Sequence, residues 1–181
     1  MTVLDDAITL YRAAATLLSN VSQRRIDLLQ SASSSVPQSR VLFEGYRSFG
    51  PSLAVCIPRG ARATFAFQSP QAEGAVIESD LPEWMTLEGW LPDRLDGASQ
   101  CFVEIEAQST DAVMADAFIR EIDADDRLVD SPAREFRIQT GRVSVLKLDL
   151  PEAEDRRRKV IVHLRRPPAE LALRQFALIP V

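Results

Sequence analysis

The hydrophobic period of this 181-residue chain changes near residue 35, from about 3.6 residues before that point to about 2 after it. A helix therefore precedes an all-β body. From Val3 to Ala32 the apolar residues Leu4, Ala7, Ile8, Tyr11, Ala14, Ala15, Leu18, Val21, Leu28 and Leu29 recur at intervals of three and four. They line one face of a helix of about eight turns. Leu10 and Leu17 widen the stripe, and Arg25 interrupts its heptad seam. Asp5 and Asp6 fall in the first turn and Arg24 and Arg25 near the last, as the helix dipole favours. Ser31-Ala-Ser-Ser-Ser-Val-Pro37 ends the helix, because serines bond to local backbone and Pro37 disfavours a helical Val36. So long an apolar stripe must be covered by its own β body, by a partner protein or by copies of itself, and residues 3–32 are the expected contact.

Beyond Arg40 the alternation is two-residue. Ala61, Ala63, Phe65 and Phe67 alternate with polar residues, as do Cys101, Val103, Ile105 and Ala107, and each set marks a strand buried on one face. Further strands are predicted over 53–57, 84–91, 117–122, 134–139, 142–150, 159–165 and 171–179, with prolines between most of them. Many short strands with no helical crossovers predict a mainly β fold, an antiparallel, jelly-roll-like β-sandwich with one long N-terminal amphipathic helix. Residues 1–35 are then helix and serine-rich linker, and residues 36–181 the sandwich domain. Two strands break phase, near Leu146 and near Gln175, and bulges or burial on both faces would explain either break.

The succession Arg142-Val-Ser-Val-Leu-Lys-Leu-Asp-Leu-Pro151, Lys159-Val-Ile-Val-His-Leu-Arg165 and Leu171-Ala-Leu-Arg-Gln-Phe-Ala-Leu178 resembles the closing strands of jelly-roll carbohydrate-binding modules. The resemblance rests on strand rhythm over about 40 residues and implies a fold in which a late strand contributes to a concave ligand face.

Composition narrows the partners. The formal net charge of −5 and the absence of any basic cluster without neighbouring acids argue against nucleic acid, whose phosphates need a basic face. The short run Arg156, Arg157, Arg158, Lys159 follows Glu152, Glu154 and Asp155, so local neutralisation is expected. Cys56 and Cys101 fall on opposite sides of their strands and are expected to stay reduced. No apolar stretch reaches the roughly 18 residues of a membrane span, and the acidic start lacks the bases of a secretory signal, so a cytoplasmic protein is expected.

The segment Leu81-Pro-Glu-Trp-Met-Thr-Leu-Glu-Gly-Trp-Leu-Pro92 is the foremost binding candidate. On a strand, Trp84, Thr86, Glu88 and Trp90 share one face, with the indoles roughly 20 Å apart, a spacing suited to an extended ligand such as a glycan. The competing expectation is that both tryptophans are core. Tyr46 and Phe49, in the apparent loop Gly45–Gly50, are secondary candidates with the same alternative. Asp123, Asp125, Asp126 and Asp130 offer oxygen ligands to calcium, although the spacing fails the EF-hand pattern; a solvated acidic turn beside Arg120, Arg127 and Arg134 is the alternative.

Catalytic signatures are missing. His163 is the single histidine, no Gly-x-Ser-x-Gly turn occurs, and alternating Glu104 and Glu106 are ordinary on the solvent face of a strand. The sequence thus predicts a non-catalytic binding module for a glycan or other polymer, with a helix for oligomerisation or docking. The alternative is a structural or assembly protein with no small ligand.

Overall fold

The computed structural model describes residues 3–34, 40–68, 74–93, 95, 97–151 and 156–181. Helix α1 spans Val3–Arg24 and is followed by the short strand β1 (Ile26–Asp27) and helix α2 (Leu28–Ser33). The body comprises β2 (Val41–Phe43), β3 (Tyr46–Phe49), β4 (Leu53–Cys56), β5 (Ala63–Phe67), β6 (Ala75–Ser79), β7 (Trp84–Trp90) and β8 (Gln100–Gln108). It continues through β9 (Val113–Ile122), β10 (Leu128–Asp130), β11 (Arg134–Ile138), β12 (Val143–Asp149), β13 (Arg157–Arg165) and β14 (Glu170–Pro180).

These strands form the two antiparallel sheets of a β-sandwich. The first sheet runs β12-β8-β14-β6-β5-β2, with β1 also on β14; the second runs β10-β9-β13-β7-β4-β3, with β11 also on β9. Strict alternation on β8 and β9 turns Val103, Ile105, Ala115, Ala117 and Ile119 inward, where they meet Leu87, Val160, Val162, Phe176 and Leu178 in one core. At one end Phe49 stacks on Phe65 at 4.0 Å and meets Phe43 edge-on at 5.6 Å.

The N-terminal region departs from expectation. The helix does not run unbroken to Ala32: it stops at Arg24, Arg25 bonds Asp27 and Glu104, and Ile26 and Asp27 pair with Leu178 and Ala177 of β14. Asp27 then caps α2 by accepting the Gln30 N–H at 3.0 Å. Leu28, Leu29 and Ala32 are buried in the sandwich core. Leu28 is admitted by Gly89, since a Cβ there would lie 2.5 Å from Leu28 Cδ1. By contrast Ile8 and every residue from Leu10 to Arg24 are exposed.

The two phase breaks have different origins. In β14 the register against β8 shifts between Leu173 and Gln175, as a bulge would do. In β12 the register against β8 is continuous, and Val143 and Val145 are simply exposed, 48% and 58%, on an edge strand. Ala75–Ser79 lies outside the predicted strands; β6 is entered through Gly74, whose φ of +126° and close approach to β14 exclude a side chain, since a Cβ there would lie 2.2 Å from the Leu173 carbonyl oxygen.

Candidate functional site

On β7, Met85 and Leu87 face the core, so Trp84, Thr86, Glu88 and Trp90 lie together on the outer face of the second sheet, as the alternation predicts. Neither tryptophan is part of the core cluster, and both are half-buried. Register brings neighbours alongside that spacing along the chain does not reveal. Lys159, Ile161, His163 and Arg165 of β13 stand opposite Trp90, Glu88, Thr86 and Trp84, and Cys56 of β4 joins Thr86 to Tyr46 of β3.

A fixed polar cluster occupies the middle of this face. Thr86 Oγ1 donates to Glu88 Oε1 at 3.0 Å, and Lys159 Nζ donates to Glu88 Oε2 at 2.5 Å. All three residues are buried, so each charge depends on its partner rather than on water. The Lys159 ammonium also lies 5.4 Å from the Trp90 ring and 5.6 Å from the Tyr46 ring, within cation–π range of both. Tyr46 is 49% exposed, whereas Phe49, its companion in the supposed loop, is 1% exposed and belongs to the core. That segment is strand β3, not a loop.

The two ends of the face differ. Trp90 lines a shallow groove of about 450 Å³ with Pro51, Ser52, Pro92, Asp93 and Arg157, and the Arg157 guanidinium carbon lies 5.9 Å from the ring. Trp84 lies 5.9 Å from the His163 ring. Asp116 is held by Arg165 through contacts of 2.6 and 2.8 Å, with His163 Nδ1 3.9 Å away. Cys56 is half-buried here; burial and then the Glu88 carboxylate push its thiol up, partly offset by Lys159.

The remaining candidates disperse. Asp123 Oδ1 accepts the Asp125 and Arg127 N–H groups, both at 2.9 Å, while Asp126 pairs with Arg157 and Asp130 with Arg120. The expected calcium ligands Asp123, Asp125 and Asp126 are therefore spent on a turn and on arginines, and among the described residues no group of three His, Cys, Asp or Glu side chains is gathered for a metal. The basic run finds distant partners: Arg156 and Arg158 bond Glu121, Arg157 bonds Asp126 and Lys159 bonds Glu88. Glu152, Glu154 and Asp155, expected to neutralise it, lie outside the described residues. Glu104 bonds Arg25 and Gln175.

Cys101 is fully buried in the first sheet and faces inward, whereas Cys56 lies on the outer side of the second, and both are free thiols. Burial pushes the Cys101 thiol up to about 12. The folded chain thus keeps this proton to higher pH than the unfolded chain, whose thiol titrates near 9.0, and the associated stability is lost as pH rises from about 9 toward 12. Thiol titration of the folded protein at pH 8 should detect at most Cys56 within minutes, with Cys101 reacting only after denaturation. Rapid reaction of both would contradict this placement.

Fold and face together define the class: an antiparallel β-sandwich whose second sheet carries an outward polar cluster bordered by aromatic rings. Several carbohydrate-binding modules are among the solved structures similar to it. The C-terminal family 22 module from Clostridium thermocellum is 11% identical, with 83% of this chain and 90% of that chain covered and a TM-score of 0.47. The family 11 module of a cellulosomal cellulase from the same organism is 9% identical, with 81% and 97% covered and a TM-score of 0.46. The enzymatically active domain of bacteriophage CBA120 tailspike protein 4 is 13% identical with a TM-score of 0.49; 72% of this chain is covered, but only 19% of that chain. No protein-family model matches the chain, and no curated protein does. At these TM-scores the likenesses carry no function over to this chain.

Proposed function

We propose that this chain is a non-catalytic binding module that takes an extended glycan across the outer face of its second sheet. One observation carries the proposal: two half-buried indoles, Trp84 and Trp90, point outward from one strand, with Thr86, Glu88 and Lys159 locked between them. Flat rings stack on the apolar faces of sugar rings, and their separation of roughly 20 Å suits a chain of several sugars rather than a single one. The intervening groups are already paired and buried, so little side-chain freedom is lost on binding. Tyr46 extends the face on its β3 side. Replacing Trp84 or Trp90 with alanine should weaken oligosaccharide binding by more than about 1 kcal/mol while changing stability by only about 1 kcal/mol. Isothermal titration beside urea unfolding separates these effects; destabilisation of roughly 3 to 5 kcal/mol would show that the rings hold the core instead.

A second reading, an assembly protein with no small ligand, is favoured by the exposed apolar face of α1. It uses none of the residues on the sheet face, so α1 serves docking or oligomerisation under either reading.

A further inference from the structure

We infer that α1 is a self-assembly element that joins three or more copies of this chain through a helical bundle. Ile8, Leu10, Tyr11, Leu17, Leu18 and Val21 are each between 38% and 77% exposed. At 100° per residue they span about half the helix circumference. Tyr11, Ala14, Leu18 and Val21, spaced three, four and three residues apart, form a heptad seam. A two-stranded coil would cover that seam but place Leu10 and Leu17, 71% and 65% exposed in the single chain, on its flank, where charged residues are usual. A bundle of three or more helices covers seam and flanks together.

Area and charge both point to copies of the same helix. The six side chains expose roughly 700 Å² per copy, close to the ~800 Å² per partner of a stable interface. Arg12 is the only charged residue from Ile8 to Gln23. With Arg24 at its end, the polar half of the helix carries only two arginines over this length, fewer than the Lys/Arg-rich face by which interfacial helices hold anionic lipid. Arg25 anchors the helix root to Asp27 and Glu104, so the sandwich remains attached at a defined point. The assembly does not depend on glycan binding, but it would present several sheet faces at once and raise avidity for a polymer.

Light scattering on the full chain between about 1 and 100 μM tests this. The expected mass is at least three times the 20.1 kDa of one chain, falling at least threefold in a Leu17→Glu/Leu18→Glu variant. Leu10→Ser/Leu17→Ser provides a milder second variant, and near-ultraviolet dichroism should show both folded, because all three side chains are exposed. A wild-type monomer, a stable dimer, or folded variants of unchanged mass would each overturn the inference. Co-sedimentation of a monomeric wild-type chain with vesicles of phosphatidylcholine and phosphatidylglycerol would assign the face to membranes and overturn it as well.

Discussion

Removal of residues 1–24 is expected to leave a folded sandwich, whereas removal of residues 1–35 should destroy most of its stability. The first cut takes α1, of which Ile8 and residues 10–24 are exposed. The second also takes β1 from the edge of β14 and removes Leu28, Leu29 and Ala32 from the core. Each buried leucine is worth about 2 to 5 kcal/mol, and a domain of this kind has only about 5 to 15 kcal/mol in total. Thermal unfolding should show a change of a few degrees for the first truncation and a fall of more than about 10 °C, or no cooperative transition, for the second. Equal stability of the two truncated chains would mean that α2 is not part of the core.

Glu121→Ala should be the most damaging substitution of a charged residue. Glu121 follows Ala117 and Ile119 on the inward side of β9; its side chain is 5% exposed and that of Arg158 is 9% exposed. Arg158 Nε donates to Glu121 Oε1 at 3.1 Å and Arg156 to Oε2 at 2.9 Å. Without the carboxylate the Arg158 guanidinium remains buried and uncompensated, which costs about 3 to 5 kcal/mol. Replacing both partners, Glu121→Leu with Arg158→Leu, should recover much of that loss, because neither charge is then desolvated. Urea unfolding of the single and double variants checks the pair. A single variant within about 0.5 kcal/mol of wild type would contradict the burial of this cluster.

The legible part of the fold was the part with one dry face. On β8 and β9 every second residue is buried, and alternation located β8 and the later part of β9 but missed residues 113–116 at its start. β3 and β6 are short and carry no such signal, and β12 misled because Val143 and Val145 remain exposed at an edge. The break after Arg24 was illegible for another reason. Leu28, Leu29 and Ala32 keep helical spacing and do form a helix, but pairing of Ile26 and Asp27 with β14 interrupts the chain before it. That is a tertiary cause, which local periodicity cannot express.

The site shows the same division. Alternation on β7 was sufficient to place Trp84, Thr86, Glu88 and Trp90 side by side. Lys159 looked like one member of a locally balanced run, yet its partner Glu88 is 71 residues away. His163 and Tyr46 likewise enter the neighbourhood through register across β13, β4 and β3. The acidic turn misled in the opposite direction: four aspartates close in sequence engage different partners, one of them the backbone of its own turn.

Tryptophan fluorescence of the intact chain, titrated with a panel of soluble hexasaccharides, tests the sheet face most directly. Trp84 and Trp90 are the only tryptophans, so ligand stacking on either ring must change the signal. At least one hexasaccharide should shift the emission saturably, with affinity falling more than about fivefold in Trp84→Ala and in Trp90→Ala, both still folded. A panel in which no hexasaccharide alters the emission, or one that binds equally well to both folded variants, would contradict the account.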